Sequence, residues 1–207
     1  MSECRVDGGA PRTGLLCRIA GKVDSISMQN ALLWGVAWLI ISTIGGWYYC
    51  IMPSGVVDYE VVGKLPLLYH LMFNVVVWMV SASVLYVVIL LHNRGAKLTD
   101  TYARLLFAHW PATLLLLPVV VVGKVNYAMF TSDFMVLLHS NALTAVLMAL
   151  YSFVVVVWML YWSYRAFRRS AGGHSWVTWS SFIISYYLAS RLCVWTIETI
   201  CRGIEIG

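Results

Sequence analysis

Charge is what this 207-residue sequence has least of. Asp, Glu, Lys and Arg together make up 11% of it, where a soluble domain usually carries about 25%. A chain of this length could bury one ordinary core. It could not hide from water an apolar content of 61%. A water-soluble fold is therefore excluded, and the lipid bilayer is the solvent that suits this composition.

Other absences narrow the function. There is no Gly-rich phosphate loop, no zinc-protease helix motif and no nucleophile elbow. No repeat of fixed period is visible. No basic stripe with interleaved aromatics marks a nucleic-acid face. None of the five cysteines forms a CxxC pair or another metal-ligand spacing. No dense cluster of His, Asp or Glu sits near one end of an apolar run, as a lipid-active enzyme would need. The expectation is a non-enzymatic protein with no cofactor and no metal.

What is present is a set of long apolar runs: 30–52, 65–91, 102–122, 135–161 and 176–199. A helix needs roughly 20 apolar residues to cross a hydrocarbon core of about 30 Å. None of the runs alternates in and out as a membrane β-barrel strand must. Helices are the other structure that satisfies every backbone group internally. The predicted fold class is therefore all-α: a polytopic membrane protein with about five transmembrane helices. Pro111 and Pro118 fall inside the third run and are expected to kink it rather than end it.

Basic residues set the orientation. Arg5, Arg12, Arg18 and Lys22 precede the first run, and Lys64 alone follows it. Arg94 and Lys97 lie in the second loop, Lys124 in the third, Arg165, Arg168 and Arg169 in the fourth, and Arg202 in the tail. The count is rich, poor, rich, poor, rich, poor. Under the positive-inside rule this places the N-terminus inside and the C-terminus outside. Trp47, Tyr48 and Tyr49, then Tyr161, Trp162 and Tyr164, then Trp176 and Trp179 cluster at run ends, where rings prefer the headgroup level.

Two regions result. Residues 1–28 form a cytoplasmic tail, and residues 29–207 form the five-helix membrane domain. Residues 1–13 have the composition of a disordered tail. From residue 14 to 28, Leu15, Ile19, Val23 and Ile26 share one helical face, with Arg18 and Lys22 elsewhere. That pattern fits a helix lying on the inner membrane surface; the plainer reading is a frayed connector. The first run is longer than a signal-peptide core and no A-x-A site follows it, so cleavage is not expected. Cys50 and Cys201 should both lie near the outer face, where they could pair or serve as packing residues.

The stretch Gly95-Ala-Lys-Leu-Thr-Asp-Thr-Tyr-Ala-Arg-Leu-Leu-Phe-Ala-His-Trp-Pro111 resembles the Yip1-domain family, in particular bacterial Yip1-like membrane proteins of the Bacteroidetes type. Asp100, Ala103, Arg104, Phe107, Ala108, His109, Trp110 and Pro111 carry the likeness, with His109 where that pattern has Arg. The resemblance implies five spans, a cytoplasmic N-terminus and an outward C-terminus. It implies location in the bacterial cytoplasmic (inner) membrane. Eukaryotic members bind Rab GTPases in vesicle traffic, a role that does not carry over to a bacterial chain.

Two functions compete. One is a non-enzymatic scaffold or interaction protein whose partners are the bilayer and other membrane proteins or further copies of itself. The other is a small transporter or channel subunit using polar groups inside the spans. Counted inward from the outer ends, His70, Asn74, His139 and Asn141 fall at similar depths, and Arg191 lies about 10 Å below Glu198 and is expected to face the bundle interior, near the outer halves of the second and fourth helices. Ionisable groups inside a membrane are costly and are candidate functional residues. Asn and His also serve as ordinary interhelical glue. Asp100 and Arg104, at i and i+4, are expected to anchor the start of the third helix with Thr99 as N-cap.

Overall fold

The computed structural model describes residues 25–173 and 176–205. It is 84% helical. Helix α1 runs Met28–Tyr49, α2 Leu67–His92 and α3 Leu98–Ala108. A 3-10 segment, Trp110–Leu116, leads into α4, Leu117–Ser132. Then follow α5, Phe134–Ser140, α6, Ala142–Ala171, and α7, Trp176–Glu205. Among the described residues, four segments are long and apolar enough to cross a membrane: α1, α2, the composite Leu98–Ser132 and α6. The all-α membrane class is thus in place. Helix α7 spans 30 residues, but its Ser, Thr and Tyr content and Arg191 dilute its apolar character. Of the surface helix expected over residues 14–28, all but the last four residues lie outside the described residues.

The composite third segment is the pillar of the bundle. Of its most apolar stretch 67% is buried, against 22 to 33% for the other three. It is not one kinked α-helix. The α ladder stops at Ala108, and seven residues continue as 3-10 helix. Pro111 has no N–H to return to the preceding turn, and tighter bonds such as Ala112 N–H to the His109 carbonyl at 2.9 Å take over. Pro118 opens α4 at the first turn, where its missing N–H costs nothing. Gly123 then bends α4 with φ 82 and ψ 159. That backbone region is essentially restricted to glycine.

Neighbouring helices meet the pillar through small residues and short bonds. A Cβ on Gly35 of α1 would lie 2.5 Å from Leu106 Cγ of α3, so glycine permits this close approach. Thr101 donates to Ser170 of α6 at 3.2 Å, and Asn93 Nδ2 to the Ser170 carbonyl at 2.9 Å. Helix α7 lies against α2, where Cys193 Sγ donates to the Val77 carbonyl at 3.6 Å and His92 Nε2 meets Ser181 Oγ at 3.0 Å. Large apolar side chains such as Leu33, Val121, Leu143 and Ile184 point outward, as a lipid-facing surface requires.

Two features depart from the sequence reading. A short antiparallel hairpin, β1 Ile51–Pro53 and β2 Tyr59–Val61, joins α1 to α2, with Met52 opposite Glu60. The fourth apolar run is also broken: α5 ends at Ser140 and α6 starts at Ala142. Asn141 between them caps α6, its side chain accepting from Thr144 N–H at 3.2 Å. No disulfide joins Cys50 to Cys201; Cys50 keeps a buried thiol.

Candidate functional site

One set of buried polar groups, Thr43, His70 and Asn74, lies between α1 and α2. Asn74 follows His70 by one turn of α2, which brings Asn74 Nδ2 within 2.9 Å of the His70 carbonyl. The same nitrogen reaches Thr43 Oγ1 of α1 at 3.5 Å. His70 is 0% and Asn74 2% exposed. Three residues past Thr43, Gly46 leaves room for the imidazole. A Cβ there would sit 3.4 Å from His70 Nδ1 and 2.6 Å from the Ile51 carbonyl oxygen. That carbonyl lies near the ring, yet neither ring nitrogen meets hydrogen-bond geometry with any partner.

The second buried histidine lies where the α ladder of the pillar breaks. His109 Nδ1 donates to the Leu105 carbonyl at 2.8 Å, which puts the proton on Nδ1 and the lone pair on Nε2. His109 is 1% exposed, and its Nε2 has no partner. The Trp38 ring of α1 lies 5.6 Å away between centroids, and its indole N–H is also unpartnered. Ser42, one turn beyond Trp38, adds a third sealed group and leads toward Thr43 and Asn74. Neither histidine lines the cavities described below.

The polar layer expected from depth counting is only half assembled. His70 and Asn74 come together, but His139 and Asn141 are exposed at the α5–α6 junction. His139 Nδ1 donates to its own helix, at the Met135 carbonyl 2.7 Å away, and Asn141 is occupied by capping. Arg191 is exposed as well. The buried stripe of α7 runs Phe182, Ser185, Ala189, Cys193 and Ile197. Arg191 stands two residues from both Ala189 and Cys193, about 200° round the helix from each. Glu198 pairs instead with Arg202 at 3.5 Å.

Residues 95–111 form the start and the break of the pillar. Arg104 Nε meets Asp100 Oδ2 at 2.9 Å, and Arg104 Nη1 donates to the Ile26 carbonyl at 3.0 Å. Arg104 is 4% exposed, so this is an internal anchor rather than a headgroup contact. Ala103 and Ala108 are buried against neighbouring helices. Trp110 lies tilted against Trp34, with ring centroids 6.4 Å apart, and Pro111 sets the 3-10 turn. The residue capping α3 is Lys97, without a side-chain bond, so Thr99 is not the cap.

Two cavities escaped the sequence reading. One, of about 400 Å³, lies beside Asn30, Trp34, Phe107, Trp110 and Trp162. The other, of about 460 Å³, lies under the hairpin and includes Asp58, Glu60, Tyr127 and Phe153. The hairpin that covers the second cavity forms by backbone pairing, which no local sequence pattern marks. Among the described residues, no three His, Cys, Asp or Glu side chains converge as a metal site would require. No family model, curated protein or solved structure matches the chain.

Proposed function

We propose that this chain is a non-enzymatic, five-span membrane scaffold or interaction protein, related to the bacterial Yip1-like proteins and resident in the cytoplasmic membrane. The observation that carries this reading is where the polar groups go. Asn74, Thr43, Thr101, Ser170 and Arg104 bond one helix or segment to another, and Asp100 holds Arg104 in place for that bond. Asn141 and Asp133 are used as caps. The outward surface is left apolar, suited to lipid and to other membrane helices.

Helix α7 serves as the fifth span in this reading. Thirty residues reach about 45 Å, and its outward face carries Ile184, Tyr187, Leu188 and Trp195. Its polar Ser185 and small Ala189 and Cys193 turn inward against α2, as small residues do at membrane helix contacts. A reporter fused after Gly207 is expected to signal the outside, and one inserted between Arg169 and Trp176 the cytoplasm. Both on one side would reject five spans.

The functional test is purification in mild detergent followed by identification of bound proteins and by flux assays in liposomes. A stoichiometric partner, or a discrete oligomer, without solute flux is expected. Solute flux that is lost in His70→Ala or His109→Ala would replace this reading with the transporter one. The unpartnered nitrogens of His70 and His109 are the observation favouring that second reading.

A further inference from the structure

Two contacts fix the depth at which Arg191 stands. His92 Nε2 of α2 meets Ser181 Oγ of α7 at 3.0 Å, and Cys193 Sγ donates to the Val77 carbonyl at 3.6 Å. The two helices therefore run antiparallel, with Ser181 level with one end of α2 and Cys193 level with Val77. Arg191 rises about 15 Å beyond Ser181. Val77 lies about 15 Å from Leu67 at the other end of α2, and Arg191 is about 3 Å further from that end. Both counts put Arg191 beside the middle of α2, a 26-residue helix whose mean hydropathy is 2.3. At that depth Arg191 is exposed, on the face turned away from α2.

The charge has nothing to compensate it there. Arg cannot lose its proton, and a lone guanidinium in hydrocarbon is costly. Snorkelling relieves this cost near a helix end. At mid-span each headgroup layer is about 15 Å away, beyond the reach of an Arg side chain. Among the described residues no acid shares this depth. Asp58 and Glu60 stand in the hairpin, Asp100 in the first turn of α3 and Asp133 between α4 and α5. Glu198 lies about 10 Å further along α7, where it pairs with Arg202 at 3.5 Å.

The side chains around Arg191 are a second, independent sign. Tyr187, Arg191 and Trp195 follow one another at one helical turn each, and the two rings are 66% and 65% exposed. Tyr and Trp that face lipid prefer the headgroup level, yet these stand only about 6 Å to either side of Arg191. Tyr, Trp and Arg are the residue types that anchor interfaces between proteins. Exposed Ile184, Leu188 and Leu192 supply apolar surface beside them. Helix α7, with 30 residues, also falls short of the apolar content of the four spanning segments.

Charge selects the occupant of this face. A second copy docked on it about a two-fold axis along the membrane normal would set Arg191 against Arg191, and like charges in contact repel. A helix with a carboxylate at mid-span supplies the missing anion through charge-assisted N–H···O bonds. We propose that the face of α7 formed by Tyr187, Arg191 and Trp195 docks a transmembrane helix of another membrane protein that carries Asp or Glu at mid-span. The proposal rests on the reading of α7 as the fifth span and names the kind of partner that the scaffold takes.

The test uses a synthetic transmembrane helix of about 22 leucines with one Asp at its centre. An all-Leu peptide and one with Asp near its end are the controls. Energy transfer between labelled peptide and labelled full chain in phosphatidylcholine vesicles at neutral pH measures association. The centred Asp should bind about 10-fold more tightly than either control, or more. Arg191→Leu and Arg191→Gln should both lose that preference and keep the parent's unfolding temperature. Equal binding of the three peptides, or a preference unchanged in both variants, would overturn the proposal. Energy transfer between two labelled copies of the chain that disappears in Arg191→Leu would assign the face to a second copy instead. Reporters after Gly207 and between Arg169 and Trp176 separate the two readings. Both on one side would reject the fifth span and this proposal with it; opposite sides without a peptide preference would reject this proposal alone.

Discussion

Arg104 is held to Asp100 at 2.9 Å one turn back on the same helix, and the pair ties the central pillar to the segment entering α1. The tie runs through Arg104 Nη1 to the Ile26 carbonyl at 3.0 Å. A guanidinium with side-chain exposure of 5% is costly to leave uncompensated, because it cannot lose its proton. The pair thus fixes the register between the chain's entry into the bundle and its most buried segment.

Breaking that tie gives the first prediction. Asp100 is partly exposed, so water can take over for it, while Arg104 cannot rehydrate without opening the bundle. Asp100→Asn should cost about 1–3 kcal/mol. Arg104→Leu should cost less than Asp100→Asn if the carboxylate rehydrates freely, since it leaves no buried charge. Unfolding of both variants in detergent, followed by circular dichroism, measures the order.

Glycine positions give a second prediction, with an internal control. Gly46→Ala would place a Cβ 2.6 Å from the Ile51 carbonyl, a backbone atom that cannot swing aside. A cost of about 1–3 kcal/mol is expected. Gly123→Ala meets open space but must hold φ 82, so strain alone should cost about 1–3 kcal/mol. Gly63→Ala has nothing within 4 Å and should stay within about 0.5 kcal/mol of the parent. Equal unfolding temperatures for all three would reject the packing described for Gly46.

Composition and run length made the membrane class legible, because burial in lipid needs only apolar content and length. The Asp100–Arg104 pair was legible because it is local, one helical turn. The deep layer was not, because depth counting assumed unbroken helices. Asn141 breaks the fourth run, and it spends its side chain on a cap. Arg191 was misplaced for a related reason. Its spacing to Glu198 marks one face of the helix, but the small-residue stripe of Ser185, Ala189 and Cys193 marks the buried one. The hairpin rests on backbone pairing between three-residue strands, too short to leave a periodic signal.

The placement of Arg191 gives a third prediction. Insertion scales charge about 2.5–3.5 kcal/mol for Arg at the centre of a membrane helix, and less toward its ends. An exposed Arg191 leaves no buried partner orphaned when removed. Arg191→Leu should therefore be neutral, within about 0.5 kcal/mol, or stabilising in detergent unfolding. Ala189→Leu, two residues away on the buried stripe with no exposed surface, should cost about 1–3 kcal/mol by overpacking against α2. A loss for Arg191→Leu as large as that for Ala189→Leu would turn the helix over.

The hairpin carboxylate gives the last prediction, through pH. Burial pushes the Asp58 pKa above its ordinary value, and the neighbouring Glu60 charge pushes it the same way. Both effects oppose ionisation, so the folded protein holds the Asp58 proton more tightly than the unfolded chain. The sign follows from linkage. The contribution of Asp58 to stability is complete below the unfolded carboxylate value of about 3.9 and is lost as pH rises through the raised folded value. At neutral pH the ionised group is left as a small burden on the fold. Asp58→Asn cannot ionise. The variant should match the parent in unfolding temperature near pH 3.5 and exceed it by a widening margin as pH rises through the acid range, levelling off above it. Thermal unfolding of both proteins across pH 3.5–7.5, in one detergent and at one ionic strength, measures the margin. A margin that stays flat with pH would mean that Asp58 ionises as freely in the folded chain as in the unfolded one, and that its carboxyl is hydrated rather than turned toward the cavity.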